Sequence, residues 1–475
     1  MNRRDEDPSN KIRQDLNNNR PQIIINMNTI IKQVRLIPLL LLGLLLSNVA
    51  SAQQTLVLKD ALNYAIQNSA NTRKAKLDIE GGRYKTEEVR AQALPSVTGS
   101  GGLTYNPIIG QLVVGTNLDG SPMAFKMGKA WNANAGVQLN QQLFNQQVFT
   151  GLKAARTSES YYNASAELTD EQIIEQVANN YYQVLVNRQQ LNVIDTNIKN
   201  VKVVENIIGN QYKNGLARKI DVDRIKVNLT NLETRREQTS NAITQLENQL
   251  KFSMGMPVET VINLPKSELD HNPTLPAFSD TVNVESRTEM KLLNIQKDLL
   301  TLQRKAYVAE YYPTLALAAN YSYTGQSDKF DLFKRSGDAF WYGASAVGVT
   351  LKVPIFNGFA TRSRVRQADV DLKKATEDRR ETRNALNLAY ENAKIQLKNS
   401  VNTINSQRAN VLLAQEIYNS TQNNYNNGLA ALTDLLDTEN ALTEAQNSYT
   451  QALLNYKIAE IQLIKSNGNI KSLLQ

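Results

Sequence analysis

The chain carries one signature twice, as NQYKNGLARKID at Asn210–Asp221 and as NNYNNGLAALTD at Asn423–Asp434. In each copy a glycine followed by a leucine, Gly215 or Gly428, interrupts a long periodic stretch. Because glycine adopts left-handed backbone conformations at little steric cost, each signature predicts a tight turn between two helices. The repetition of the signature indicates an internal duplication.

Two further pairs of segments repeat in the same order. The first pair is AQALPSVTGSGGLTY at Ala91–Tyr105 and AEYYPTLALAANYSY at Ala309–Tyr323. The second pair is WNANAGVQLNQQLFN at Trp131–Asn145 and WYGASAVGVTLKVPIFN at Trp341–Asn357. Apolar side chains recur at alternate positions, which predicts strands with one apolar face. We expect two strand pairs, each joined by a polar loop: strands at 96–105, 131–144, 314–324 and 341–356, with loops at 106–130 and 325–340.

Long helical patterns fill the rest of each copy. A helix is expected before each strand pair, at Lys59–Ala93 and Val284–Glu310, and a helical hairpin after it. From Ile173 onward, alternate steps of four and three residues meet apolar side chains at eight of eleven positions, which is typical of a coiled-coil seam. Interruptions at Gly209–Leu216 and Asn426–Leu429 mark the hairpin turns. An arm of about 70 residues would be about 100 Å long.

The duplication predicts how the chain is divided. A Pro-rich, irregular connector separates the two copies and is expected to form an equatorial region. The expected parts are an N-terminal extension with a signal peptide at 1–52, repeat 1 at 53–255 with its turn at about 209–221, the connector at 256–285, and repeat 2 at 286–475 with its turn at about 426–434.

The N-terminus has the layout of an export signal. An apolar run at Leu36–Leu46 follows basic residues, and Ala50 and Ala52 are the small residues of a cleavage site. A membrane anchor is the alternative, but the run is too short because a spanning helix needs about 20 apolar residues. We expect the mature protein to begin near Gln53.

Composition excludes several classes of function. The 475 residues include no cysteine and one histidine, His271, so thiol nucleophiles are absent and His-based metal sites or triads are not expected. Lys and Arg (53) outnumber Asp and Glu (45), but the two signs are interspersed, which argues against nucleic acid as a partner. No catalytic motif is present, and we predict neither enzyme activity, nor a cofactor, nor a bound metal.

Exported amphipathic strands predict a closed membrane barrel, because open strand edges would leave unpaired backbone groups in hydrocarbon. A soluble β-sandwich is the alternative; it explains the alternation but not the aromatic residues at the strand ends. Four strands are too few to close a barrel, whereas three chains would supply enough for an open lumen, so a homotrimer is expected. The aromatic residues proposed for the membrane interfaces are Trp131, Phe144, Trp341 and Phe356.

In order and duplication, these segments resemble the TolC-type outer membrane efflux protein family, the outer membrane channel component of tripartite export systems. The resemblance covers nearly the whole mature chain. It rests on LKDALNYAIQN at Leu58–Asn68, the proline-led strand pairs, PIFNG at Pro354–Gly358 and the twin Tyr-x-x-Gly-Leu turns. It implies a mixed α and transmembrane β fold, in which each chain contributes four strands to a shared trimeric outer-membrane β-barrel. This barrel would be continuous with a long antiparallel α-helical coiled-coil tunnel.

The resemblance also implies function and partners. The trimer would be a passive exit duct for small molecules or polypeptides in the outer membrane of a Gram-negative bacterium, in contact with outer membrane lipid and with its helices in the periplasm. It would dock on a periplasmic adaptor (membrane fusion) protein and an inner-membrane pump that supplies the energy. The alternatives are a periplasmic adaptor or a coiled-coil scaffold, and neither accounts for paired strands with aromatic ends.

Candidate gate residues lie at the two turns. By the resemblance, Asp221, Asp434 and Asp437 would project into a closed periplasmic aperture, with Tyr425 beside them. The basic residue expected two positions after the second glycine is replaced by Ala430, and Arg218 in the first turn is the candidate substitute.

A simpler role is open for the same residues. Asp221 and Asp434 would cap helices by accepting hydrogen bonds from free N–H groups, and the two glycines would serve turn geometry alone. The four turn residues proposed for adaptor docking are Gly215, Leu216, Gly428 and Leu429.

Overall fold

A computed structural model describes residues 55–265, 269, 282–334 and 338–475. The expected signal peptide, His271 and half of the connector lie outside the described residues. The helices are α1 (Leu58–Asn68), α2 (Ala70–Ala91), α3 (Gln146–Lys213), α4 (Lys219–Met254), α5 (Thr288–Ala309), α6 (Ala360–Asn426) and α7 (Leu432–Ser466). The strands are β1 (Ser96–Tyr105), β2 (Gln111–Thr116), β3 (Pro122–Lys126), β4 (Trp131–Phe144), β5 (Thr314–Ser327) and β6 (Phe340–Lys352). Short 3₁₀ helices occupy Val284–Ser286 and Ile470–Leu474.

Two helical hairpins, α3–α4 and α6–α7, form the long part of the molecule. Their longer arms, α3 and α6, contain 68 and 67 residues, so each is about 100 Å long. The hairpins pack together mainly through α3 and α7. The seam predicted along α3 is confirmed by its buried side chains: Ile173, Val177, Val184, Ile194, Ile198, Val201 and Ile208.

Four strands form one antiparallel sheet in the order β1–β4–β5–β6. Both predicted hairpins are present, and the pairing of β4 with β5, which sets Val137 opposite Tyr321, joins the two copies of the duplication. These strands are 10 to 14 residues long, against the roughly 9–11 residues that a tilted membrane strand needs. Because β1 and β6 are the outer strands, each has one edge without a partner among the described residues.

The sheet exposes apolar side chains. On β6, Val347 is 77% exposed and Val349 is 60% exposed. None of the described helices makes extensive contact with the sheet. A soluble sandwich would bury one face of each sheet, so this exposure argues against that alternative. Within the described part of the chain, no helix combines the length and apolar character that spanning a membrane would require.

Several boundaries differ from expectation. The predicted loop at 106–130 contains its own two-stranded hairpin, β2–β3. The first predicted helix is divided at Ser69, whereas α3 continues through Gly209, which had been assigned to the turn. Strand β6 ends at Lys352, so the strand predicted to reach 356 was too long. Pro354 explains this end, because proline has no N–H with which to continue a ladder.

The main hydrophobic core lies around the middle of the helices. It joins α1 to α3, to the end of α4 and to α7. Tyr181 is fully buried there, and its hydroxyl donates a 2.9 Å hydrogen bond to the carbonyl oxygen of Leu56. Part of the connector, including Ile262 and Leu264, is buried in the same core, which holds the two copies of the duplication together.

Candidate gate at the helical turns

The two turns have the same backbone structure. Gly215 and Gly428 have φ angles of 76° and 74°, in the left-handed region predicted for them. Leu216 N–H donates to Gln211 O and Gly215 N–H to Tyr212 O, at 2.8 and 3.0 Å, and the second turn repeats both bonds at the same distances. This pair of bonds is the Schellman motif, which satisfies carbonyl groups that the end of a helix leaves free.

The turns expose one leucine each. Leu216 and Leu429 follow the glycines and are both 79% exposed. Exposed apolar side chains at the tip of a polar hairpin are candidates for contact with a partner protein. The structure therefore presents all four proposed docking residues at the surface of the two turns.

The helices after the turns begin differently in the two copies. In α7, the backbone N–H of Ala431 donates to the carboxylate of Asp434 at 3.1 Å, so Asp434 caps the helix as one of the two interpretations predicted. In α4, the equivalent Asp221 instead accepts two hydrogen bonds from the Arg218 guanidinium, at 3.0 and 3.2 Å. Arg218 and Asp221 are thus paired within one turn of one chain. That Arg218 substitutes for the basic residue replaced by Ala430 stays a prediction.

Tyr425 belongs to the second turn but lies near the acid of the first. It is half-buried, and its pKa is raised first by burial and then by the charge of Asp221. The two residues line one cavity of about 260 Å³ together with Arg218. The fold thus brings three of the five candidate gate residues into one place, from both copies of the duplication.

Asp437 lies in a different cavity. This groove between α4 and α7 has a volume of about 520 Å³. Besides Asp437, its lining includes Asp223 and Arg224 of α4, which the sequence had not suggested, and the apolar Leu436. In the sequence, only its position two residues after the predicted Asp221 could have pointed to Asp223. Arg224 lines the smaller cavity as well. It therefore lies between Asp221 in that cavity and the acids Asp223 and Asp437 in the groove.

The predicted interface aromatics form two groups at opposite ends of the sheet. At the loop end, the ring of Trp131 lies 4.5 Å from that of Tyr105, and Trp341 stacks on Tyr323 at 5.1 Å. At the helix end, Phe144 lies 6.2 Å from Phe149 and Phe356 lies 5.4 Å from Phe359. Strand β4, with 14 residues, separates the groups by about 45 Å along its own direction. Tilted by about 45°, this distance matches a hydrocarbon core of roughly 30 Å.

No described group of three or more His, Asp or Glu side chains is arranged to hold a metal ion. The described turns offer charged side chains, hydrogen bonds and one exposed leucine each.

Known proteins share both the sequence pattern and the fold. Residues 61–256 and 285–469 match the family model described as outer membrane efflux protein. The chain is 21% identical over 450 residues to the outer membrane protein TolC of Escherichia coli, covering 92% of this chain and 87% of that protein. It is 22% identical over 424 residues to the alkaline protease secretion protein AprF of Pseudomonas aeruginosa, covering 86% and 83%.

A solved structure shows the same fold. The open state of the Neisseria gonorrhoeae MtrE outer membrane channel superposes with a TM-score of 0.67 at 17% identity. The match covers 88% of this chain and 90% of that one. The similarity therefore extends over the sheet and both helical hairpins.

Proposed function

The chain belongs to the outer membrane efflux protein family, and from this premise we propose that three copies assemble into one outer membrane exit duct. The observation that carries the proposal is the four-stranded sheet, which has two unpaired edges and no described helix across its faces. A membrane leaves no water to satisfy strand edges, so the sheet needs partners of its own kind.

Barrel closure follows from the direction of the outer strands. β1 runs away from the helices and β6 runs back toward them, so β1 of one copy would pair antiparallel with β6 of the next. Three sheets joined in this way close without a remaining edge and leave an open lumen. The exposed apolar side chains of the strands would then face lipid, between the two aromatic groups.

The helical hairpins would continue the duct into the periplasm. Three copies of each turn would meet at its far end, and the acids at the turns would line the opening. We propose that Arg218, Asp221 and Tyr425 hold the two hairpins of each chain together there, as their shared cavity suggests. Asp434 and Asp437 would add negative charge that attracts cations to the opening.

Partners are proposed from family membership and from the exposed turns. A periplasmic adaptor would contact Leu216 and Leu429 and the groove between α4 and α7, whose lining mixes apolar and charged groups. An inner-membrane pump would supply the energy, as family membership implies. AprF is named for secretion of a protease, so polypeptides are candidate cargo beside the small molecules implied by efflux.

The experiment that tests the duct uses purified full-length protein. In mild detergent we expect the mass of a trimer, and in planar bilayers we expect stable conducting channels. A monomer that binds no bilayer would contradict the proposal. A periplasmic adaptor or a coiled-coil scaffold would give that result, because neither needs a membrane-facing sheet.

A further inference from the structure

Glu439 is a carboxyl group inside an apolar seam. It lies on α7 between Leu435 and Leu442, at the spacing that sets all three on one helix face. Both leucines belong to a buried cluster that includes Val201 of α3 and Tyr418 of α6. Glu439 itself is 5% exposed. The seam where the two helical hairpins pack together near their turns therefore encloses an acid.

One oxygen of the buried carboxyl has no partner in the described protein around it. Its Oε1 atom is buried and has no hydrogen-bond partner within the described structure. Burial raises the pKa of Glu439 to about 7. The pKa of Tyr418 is also raised, first by burial and then by the charge of Glu439, which places the two side chains near each other. A carboxyl in this position is accommodated far better when protonated than when charged.

The charges around Glu439 do not compensate for its burial. On α3, Asp195 and Lys202 are paired with Arg236 and Glu233 of α4, at 2.6 and 3.0 Å. The remaining nearby charged side chains on the three helices are exposed or half-buried: Lys199 and Glu205 on α3, Glu416 on α6, and Asp437 and Glu444 on α7.

A buried hydrogen bond joins the two hairpins one helical turn away from Glu439. The side-chain amide of Asn197 on α3 donates to the Thr443 hydroxyl on α7 at 2.7 Å, and that hydroxyl donates to the Glu439 carbonyl oxygen at 2.9 Å. This bond fixes the register of the closed seam, and it would be lost if the hairpins separated.

We propose that Glu439 is a proton-sensitive latch between the two hairpins: the neutral acid allows the seam to close, and its ionisation favours separation of α3 from α7 near the turns. Separation admits water, which solvates the carboxylate and removes the penalty of its burial. As a means of regulating a duct, the latch rests on the proposed function.

The direction with pH follows from the raised pKa. The packed seam is fully stable below about pH 4.5, where an exposed glutamic acid is also protonated, and its stability falls as pH rises toward about 7. Over this range the ratio of packed to separated seams should fall by about a hundredfold.

The test compares wild-type protein with Glu439→Gln, which keeps the shape of the side chain but cannot ionise. Glu444→Gln is the matched control, because Glu444 is an exposed acid on the same helix. Spin labels on cysteines introduced at the exposed positions Val203 and Asn440 would report the separation of α3 and α7 in a chain that has no other cysteine.

Between pH 5 and pH 8 we expect the wild type and Glu444→Gln to shift toward longer label distances, and Glu439→Gln to keep the short distance. Glu439→Leu should also keep the short distance. It provides a second variant without an ionisable group in case the glutamine variant does not fold. The same pH response in Glu439→Gln as in the wild type would overturn the latch. The label distances do not depend on conduction. If no variant formed conducting channels, that result would contradict the proposed duct and not the latch.

Discussion

The carbonyl oxygen of Asn68 lies 2.3 Å from the position that a Cβ atom on Gly255 would occupy. Asn68 is the last residue of α1, and Gly255, with a φ angle of 74°, directly follows the last residue of α4. A glycine is required here both for its left-handed backbone and for the close approach of α1. Helix α1 is thus docked against the end of the first helical hairpin.

Gly255→Ala should therefore destabilise the fold by about 3 kcal/mol, since it combines backbone strain with a clash against main chain that cannot move aside. Gly209→Ala is the matched control. Gly209 lies within α3 and has no atom within 4 Å of its added Cβ, so alanine should stabilise the helix by about 0.5–1 kcal/mol. Thermal unfolding followed by circular dichroism measures both, and equal shifts in the two variants would contradict the argument.

Substitutions can distinguish whether a turn acid acts as a helix cap or as a charge at the opening. Asp434→Ala should cost about 1 kcal/mol, because it removes the acceptor for the Ala431 N–H, whereas Asp434→Asn keeps an acceptor oxygen and should cost a few tenths. Both should leave trimers intact.

Charge is tested by adding Asp437→Asn to Asp434→Asn. This pair should lower cation selectivity and weaken block by divalent or trivalent cations in planar bilayers, because an acidic ring concentrates cations. Asp378→Asn, an exposed position in the first third of α6 and far from the turn, is the control. Unchanged selectivity in a well-folded trimer would mean that the two acids have no part in the opening.

Glu167 anchors the C-terminal 3₁₀ helix and α5 to α3. Its carboxylate pairs with Lys471 at 2.5 Å and with Lys291 at 2.9 Å, and these two lysines lower its pKa. A lowered pKa means that the stabilisation is present above about pH 4.5 and is lost as pH falls through the folded-state value.

We therefore expect Glu167→Gln to reduce stability at pH 7 by less than about 1 kcal/mol, since all three side chains are at least partly exposed. The difference from wild type should shrink as pH falls below about 4.5. Glu88→Gln, which breaks an exposed pair with Lys85 on α2, should change stability little across the same range. A difference that stayed constant as pH fell would show that packing, and not charge, accounts for the effect.

Gly325 makes room for the ring of Trp341. A Cβ at this position would lie 2.5 Å from the indole, which stacks on Tyr323 and donates from Nε1 to the carbonyl oxygen of Leu332 at 3.2 Å. Gly325→Ala should displace the indole and change its fluorescence emission. Trp131→Phe isolates the signal, because the chain has two tryptophans. Gly348→Ala, where the added Cβ meets nothing within 4 Å, should leave the emission unchanged.

Sequence periodicity predicted much of this architecture because the fold is extended and repetitive. Strands β1 and β4 have the predicted bounds, and the turn glycines have the predicted backbone. Helix and strand periods are strongest where one face is buried over a long distance. The β2–β3 hairpin was missed because its strands are only six and five residues long and are joined by the turn-forming residues at 117–121, so the whole segment resembles a loop.

The candidate gate was less predictable because it depends on side chains from separate turns. Arg218 and Asp221 are three residues apart on one helix start, so their pairing could be anticipated. The position of Tyr425 near Asp221 required the packing of one hairpin on the other. The burial of Glu439 could not be predicted from the sequence, because a single acid in an apolar stripe looks like an ordinary interruption of the pattern.

The unpaired edges of β1 and β6 also have a genetic consequence. A closed ring of three sheets needs every strand edge to be paired. One subunit that cannot pair at β6 therefore prevents closure of the barrel that it joins. If defective and normal chains are made in equal amounts and mix freely, only about one trimer in eight contains normal chains alone. A proline placed in the middle of β6 should therefore act as a dominant-negative allele, and cells carrying it beside the wild-type gene should lose most of their export.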